Sequence, residues 1–156
     1  MTPSRGEADE IFLTRAGRQL LLDRARELRD RADALIRSLE DHAGEPWMVD
    51  ERERALDELD RLTSALATAR AVEELPGDPR VVLLGDVVDL RLSDGTAERH
   101  IVVHPVEAPI DDARISAESP LGVALLGRHV GEDVEVRAPS GPYRCTIVSA
   151  EREPTV

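Results

Sequence analysis

Two apolar seams, joined by a stretch that no helix absorbs, dominate the first half of the chain. Leu21, Ala25, Leu28, Ala32, Leu35 and Leu39 recur at spacings of 4, 3, 4, 3 and 4, and Ala55, Leu59, Leu62, Leu66 and Ala69 repeat the pattern at 4, 3, 4 and 3. This is the spacing of coiled-coil a and d positions, which holds one stripe of a helix against a partner helix. Between the seams, Asp41 to Val49 contains Gly44 and Pro46, which interrupt helix propagation. The pattern predicts two helices folded back as an antiparallel hairpin, with Thr14 as N-cap of the first. Alanines in both seams permit close approach. Arms of about 28 residues make a rod of roughly 40 Å, longer than the small domain that follows, with its tip held away from the body. Periodicity alone also accommodates a dimerising coiled coil, or a two-helix layer packed on its own domain.

Leu75-Pro76-Gly77-Asp78-Pro79 is expected to end the second helix. It divides the chain into a coiled-coil hairpin (1–75), a linker (76–79) and a second domain (80–156). Beyond it the period changes to 2. Val88, Leu90 and Leu92 alternate up to Ser93-Asp94-Gly95, a hairpin turn, and the partner strand is Arg99 to Val103. Pro105 and Pro109 mark a loop, followed by Arg114 to Ala117. Ser119-Pro120 leads into a short apolar helix, Leu121 to Leu126, stopped by Gly127. A turn at Gly131-Glu132-Asp133 opens the strand Asp133 to Arg137. The last strand, Tyr143 to Ala150, follows the turn Pro139-Ser140-Gly141-Pro142. The predicted class is α+β: a helical hairpin, then a small antiparallel sheet crossed by one short helix.

Composition narrows the function. The 156 residues suffice for one ordinary domain or two small ones. Phe12, Trp47 and Tyr143 are the three aromatic residues, so the core must be aliphatic and a base-stacking surface is disfavoured. The net charge of −12 opposes free binding to DNA or RNA, because phosphate contacts require cations. Residues 1–75 carry 12 arginines against 18 acids and residues 76–156 carry 8 against 14, so each half nets −6. All basic residues are arginine. Pairs such as Arg26–Asp30 and Arg29–Asp33 read as a solvated ion-pair face. Cys145 is the single cysteine, which excludes an internal disulfide and suits an inert core thiol in a reducing compartment. His42, His100, His104 and His129 show no ligand spacing, so no metal site is expected. No apolar run reaches the roughly 20 residues of a membrane span and no signal-peptide pattern opens the chain, which predicts a cytoplasmic protein without membrane contact.

The run Ser119-Pro120-Leu121 through Leu126-Gly127, then Asp133-Val134-Glu135-Val136 and Pro139-Ser140-Gly141, resembles the C-terminal domain of the GreA/GreB family of transcript cleavage factors. Leu13-Thr14-Arg15-Ala16-Gly17, with Leu20 and Leu21, is similar to the start of that family's first helix. The resemblance implies a coiled-coil hairpin and an FKBP-like C-terminal domain. It implies RNA polymerase as the partner, with the hairpin entering the secondary channel and nucleic acid met only through the elongation complex. Ser119, Pro120, Leu121, Leu125 and Gly127 become docking candidates. The family members are not enzymes and bind no cofactor alone. Their tip acids help hold Mg²⁺ in the polymerase active site, which then cuts backtracked RNA.

The tip departs from that pattern. Cleaving members carry Gly-Asp-Leu-Lys-Glu. Matching Gly44 to that glycine puts Glu45 on the aspartate position and Met48 on the glutamate position, so one carboxylate is kept and one is lost. Asp41, Asp50 and Glu51 are the possible substitutes, although acids at a helix start also serve the helix dipole. Trp47 and Met48 form either a hydrophobic staple or an exposed contact surface, tryptophan being a common interface anchor. These features favour a regulator or inhibitor of elongation over a full cleavage stimulator. A prolyl isomerase is disfavoured, because those enzymes use an aromatic-lined pocket and residues 76–156 contain Tyr143 alone. The remaining alternative is a coiled-coil interaction protein of the nucleoside diphosphate kinase regulator type, with a partner other than polymerase; such relatives have a shorter helical region.

Overall fold

In a computed structural model, residues 10–41 and 45–153 are described. Gly44, which sets the tip register, and His42 lie outside the described residues. Helix α1 spans Arg15–Asp41 (27 residues) and α2 spans Pro46–Thr68 (23 residues). The Thr14 hydroxyl accepts a hydrogen bond from the Gly17 N–H at 2.9 Å, which is the predicted N-cap. Cross-helix contacts run in opposite order. Arg18 donates to the Leu66 carbonyl at 3.4 Å, Arg24 to Glu58 at 3.1 Å, and Arg31 pairs with Glu51, so the helices are antiparallel. The seam buries Leu21, Ala25, Leu28 and Ala32 against Ala55, Leu62, Ala65 and Leu66. Each leucine so buried contributes about 1.5–3 kcal/mol. Leu35, Leu39 and Leu59 are only half-buried. The tight packing therefore lies toward the base of the hairpin.

The second helix ends at Thr68, well before the expected stop at Leu75. Ala69 turns to an extended conformation, and strand β2 (Arg70–Ala71) pairs in parallel with β1 (Phe12–Leu13). The Arg70 N–H donates to the Ile11 carbonyl at 2.8 Å, and its guanidinium lies over the Phe12 ring. This long-range closure of the hairpin base draws the chain out of the helix. A 3₁₀ turn, Val72–Glu74, follows.

The second half is a five-stranded sheet. Its strands are β3 (Asp86–Leu92), β4 (Ala97–Val103), β5 (Arg114–Ser116), β6 (Asp133–Ala138) and β7 (Gly141–Arg152), in the order β5-β4-β3-β7-β6. The predicted turn at Ser93-Asp94-Gly95 forms, with Gly95 at φ +89° and Asp94 accepting from the Thr96 N–H at 2.9 Å. The sheet is not wholly antiparallel as expected, because β5 runs parallel to β4. Residues 104–113 cross back through a 3₁₀ turn at Ala108–Ile110, so the chain re-enters the edge in the same direction. Ile101, Val102 and Val103 are all buried, so both faces of β4 are covered at that end, a burial that suits parallel pairing.

Helix α3 (Pro120–Leu125) packs against β6. Val82, Val88, Leu90, Val102, Leu125, Val136 and Ile147 fill the core between them, all aliphatic. Cys145 lies within it, and burial pushes its thiol above the usual range.

Candidate functional site

The far end of the hairpin gathers the acids and the tryptophan singled out above. Asp41 is the last residue of α1, and Glu45 is the N-cap position of α2. Pro46 occupies the first helical position, where its missing N–H costs nothing. The Glu45 carboxylate makes no capping hydrogen bond, and both acids are exposed. Asp50 is exposed one turn further on. Glu51 is half-buried and paired with Arg31 across the helices, so its charge is spent on the hairpin itself. Met48 stands three residues after Glu45, half-buried, its N–H donating to the Glu45 carbonyl at 2.9 Å.

Trp47 is 55% exposed and Val49 42%. The indole borders a shallow hollow lined by Leu28, Arg31, Arg54 and Ala55. More than half its surface faces solvent, so it closes no sealed staple; Val49, two residues on, is exposed on a different face of the helix. The expected ion pairs shift register. Arg26 reaches Asp23 at 3.3 Å rather than Asp30, the order in which an acid precedes a base along a helix and which complements the dipole.

A divalent cation prefers several carboxylate oxygens. Among the described residues no three His, Cys, Asp or Glu side chains converge as a metal site. Asp41, Glu45 and Asp50 are exposed carboxylates, Met48 contributes a thioether in place of an acid, and Glu51 is paired with Arg31, so the tip carries separate acids and not a metal cage. His100 contacts Glu98 at 3.0 Å, and burial lowers the His104 pKa. No helix among the described residues is long and apolar enough to cross a membrane.

The docking candidates fall into two groups. The Ser119 hydroxyl caps α3, accepting from the Gly122 N–H at 3.1 Å and donating to the Ser116 carbonyl at 2.6 Å. Pro120 and Gly127 are exposed, and Gly127 has φ +77°, the left-handed stop that glycine adopts without strain. Leu121 is half-buried. Leu125 is fully buried, so its side chain anchors α3 to the sheet and offers no surface. Besides Pro120, α3 presents Val123, 65% exposed, which the sequence pattern did not single out.

The structure also assembles a buried polar cluster that no spacing announced. Glu107, in the β4–β5 connection, is wholly buried. Its Oε2 accepts from the Thr14 N–H at 3.0 Å, and its Oε1 accepts from the Thr14 hydroxyl and from Arg114 Nε at 3.4 Å. Arg114 is also paired with Asp111. Burial raises the Glu107 pKa, and the donors from Thr14 and Arg114 offset part of that rise.

The family described as "Transcription elongation factor, GreA/GreB, C-term" matches residues 77–152. The chain is 34% identical over 149 residues to the transcription elongation factor GreA of Chloroflexus aurantiacus, covering 93% of this chain and 90% of the relative. It is 34% identical over 103 residues to the GreA of Geobacillus kaustophilus, where the match spans 65% of each chain, just under two thirds of that relative's length. Among solved structures, the GreA factor homolog 1 protein of Thermus thermophilus is 30% identical, with 91% of this chain and 99% of that one covered at a TM-score of 0.42.

Proposed function

The chain belongs to the GreA/GreB family of transcription elongation factors, and from that premise we propose that it binds RNA polymerase and modulates elongation, with the hairpin entering the secondary channel. The C-terminal sheet and α3 act as the docking body. The protein carries out no chemistry of its own; any RNA cleavage belongs to the polymerase and its Mg²⁺. Within that role it acts as a regulator or inhibitor more than as a cleavage stimulator.

The observation that carries the last step is the tip. Glu45 presents a free carboxylate, whereas Met48 stands at the second acid position and Glu51 is held by Arg31. With a thioether at the second position of the motif, Glu45 contributes less to positioning a second metal than an acid pair at those two positions does, because each oxygen ligand adds charge and orientation. The exposed indole of Trp47 suits a tip that presses against a protein wall.

The test uses a stalled, backtracked elongation complex. Slower elongation with few Mg²⁺-dependent 3′ fragments is the expected result. Abundant fragment release that disappears in Glu45→Ala would reassign the protein as a cleavage factor. Failure to co-purify with polymerase would remove the polymerase reading altogether and favour a partner outside transcription.

A further inference from the structure

We infer that Glu107 is a positioning residue that fixes the direction in which the hairpin leaves the sheet; its consequence for function rests on the polymerase-binding reading above, its geometry does not. One carboxylate ties three elements. Both oxygens receive hydrogen bonds from Thr14 at the start of α1, the residue itself belongs to the β4–β5 connection, and Arg114 reaches it from β5. Gly17, one turn into α1, leaves the space that the side chain fills: a Cβ there would overlap the Glu107 carboxyl group. Val106 and Ile110, from the same connection, pack on the cluster containing Leu21 and Leu62. The polar anchor is thus flanked by apolar contact.

Two sets of contacts tie the helix ends together above this anchor. β1 pairs with β2, and Arg18 donates to the Leu66 and Ala69 carbonyls at 3.4 and 3.5 Å, joining the two helix ends. With their ends joined, the helices would tilt together, as one lever about Glu107. For an arm of about 40 Å, a tilt of about 10° at the base displaces the tip by about 7 Å. Misplacement of a catalytic or blocking group by even about 1 Å changes rates strongly. A buried carboxylate is costly unless fully bonded, and its hydrogen bonds are directional in a way that an aliphatic filler is not. A leucine here would fill the gap but leave the Thr14 N–H unpaired and the angle unfixed.

The experiment uses the full chain carrying spin labels at Asp57→Cys on α2 and Ser140→Cys in the β6–β7 turn; both sites are exposed, and buried Cys145 stays unlabelled. The parent chain should give one narrow distance distribution. Glu107→Ala should broaden or shift it by about twofold in width, and the isosteric Glu107→Gln by less, since it keeps one acceptor. With RNA polymerase at saturating factor, the effect on elongation should fall about tenfold in Glu107→Ala and partly in Glu107→Gln. The half-saturating concentration should stay within about threefold. Unchanged distance distributions in both variants overturn the inference, as does a loss of apparent affinity with the full effect at saturation. If Glu107→Ala fails to fold, Glu107→Gln decides. If the parent chain itself leaves polymerase unaffected, the functional reading fails, while the distances still judge the anchor.

Discussion

Gly17 lies directly over the carboxyl group of Glu107, ninety residues away in sequence, so that a methyl group on Gly17 would occupy the space of Glu107 Oε1 and Cδ. Alanine is the better helix former by about 1 kcal/mol, so propensity alone predicts that Gly17→Ala stabilises α1. The contact reverses the sign. Glu107 is wholly buried and held by Thr14 and Arg114, so it has no open side to swing toward. Gly17→Ala should cost about 1–3 kcal/mol net in denaturant unfolding. In a Glu107→Ala background the same change should cost less or become favourable, because the two residues share one space. Additive effects would show that they do not compete.

The same carboxylate gives a pH signature. Burial holds its folded-state pKa above the ordinary glutamate value. The folded chain therefore binds a proton at pH values where the unfolded chain has released it. The stability that this group contributes is complete below about pH 4.3 and is lost as pH rises through the raised native value. Glu107→Gln cannot titrate. Relative to that variant, wild type should lose stability with rising pH across this window, by at most about 1.4 kcal/mol per unit, and then level off. Urea midpoints at a series of pH values provide the measurement. A difference that grows in favour of wild type as pH rises contradicts the burial.

The two helices and the strand alternation were legible because they repeat. Leu21 and Leu28, or Val88 and Leu90, announce a face by spacing, and that face is the buried one. Glu107 and Thr14 repeat nothing: their pairing spans 93 residues and exists only once the sheet and the hairpin have met. The early end of α2 has the same origin. Nothing in Thr68-Ala69-Arg70 forbids helix, and the pairing of Arg70 with Phe12 overrides local preference. The parallel edge strand β5 was equally hidden, because its three residues carry too little pattern to assign a direction. At the candidate site the residues themselves were readable, but their availability was not. Leu125 and Glu51 were both candidates by pattern, yet one is buried and the other is ion-paired.

Helix α3 offers a graded test of which residues of its motif are structural. Ser119→Ala removes the cap and should cost about 0.5–2 kcal/mol. Gly122 sits tighter still, since a methyl there would overlap the Ser116 carbonyl oxygen and lie 2.9 Å from Ala117 Cα. Backbone cannot rotate away as a side chain can, so Gly122→Ala should cost about 3 kcal/mol or more. Val123→Ala, on the exposed face, should fall within about 0.5 kcal/mol of wild type. Thermal unfolding orders the three. If Val123→Ala also weakens polymerase binding without lowering stability, α3 contributes surface as well as support.

The tip allows a gain of function to be built. Glu45 is the N-cap residue of α2 and Met48 lies three positions on, the separation that places two side chains on one face of a helical turn. An acid at that third position is favoured by the dipole by about 0.3–1 kcal/mol and could accept from the Glu45 N–H, so Met48→Glu should be close to neutral for stability despite the loss of a half-buried thioether. It would also create the carboxylate pair that the native tip lacks. On a backtracked elongation complex, Met48→Glu should release 3′ fragments about tenfold faster than wild type, in a Mg²⁺-dependent manner. Adding Glu45→Ala should return the rate to the wild-type level, since either carboxylate alone leaves the metal short of ligands. Fragment release that stays at the wild-type level in a folded, polymerase-bound Met48→Glu protein would show that the missing acid is not what limits cleavage, and would shift the explanation to the exposed Trp47.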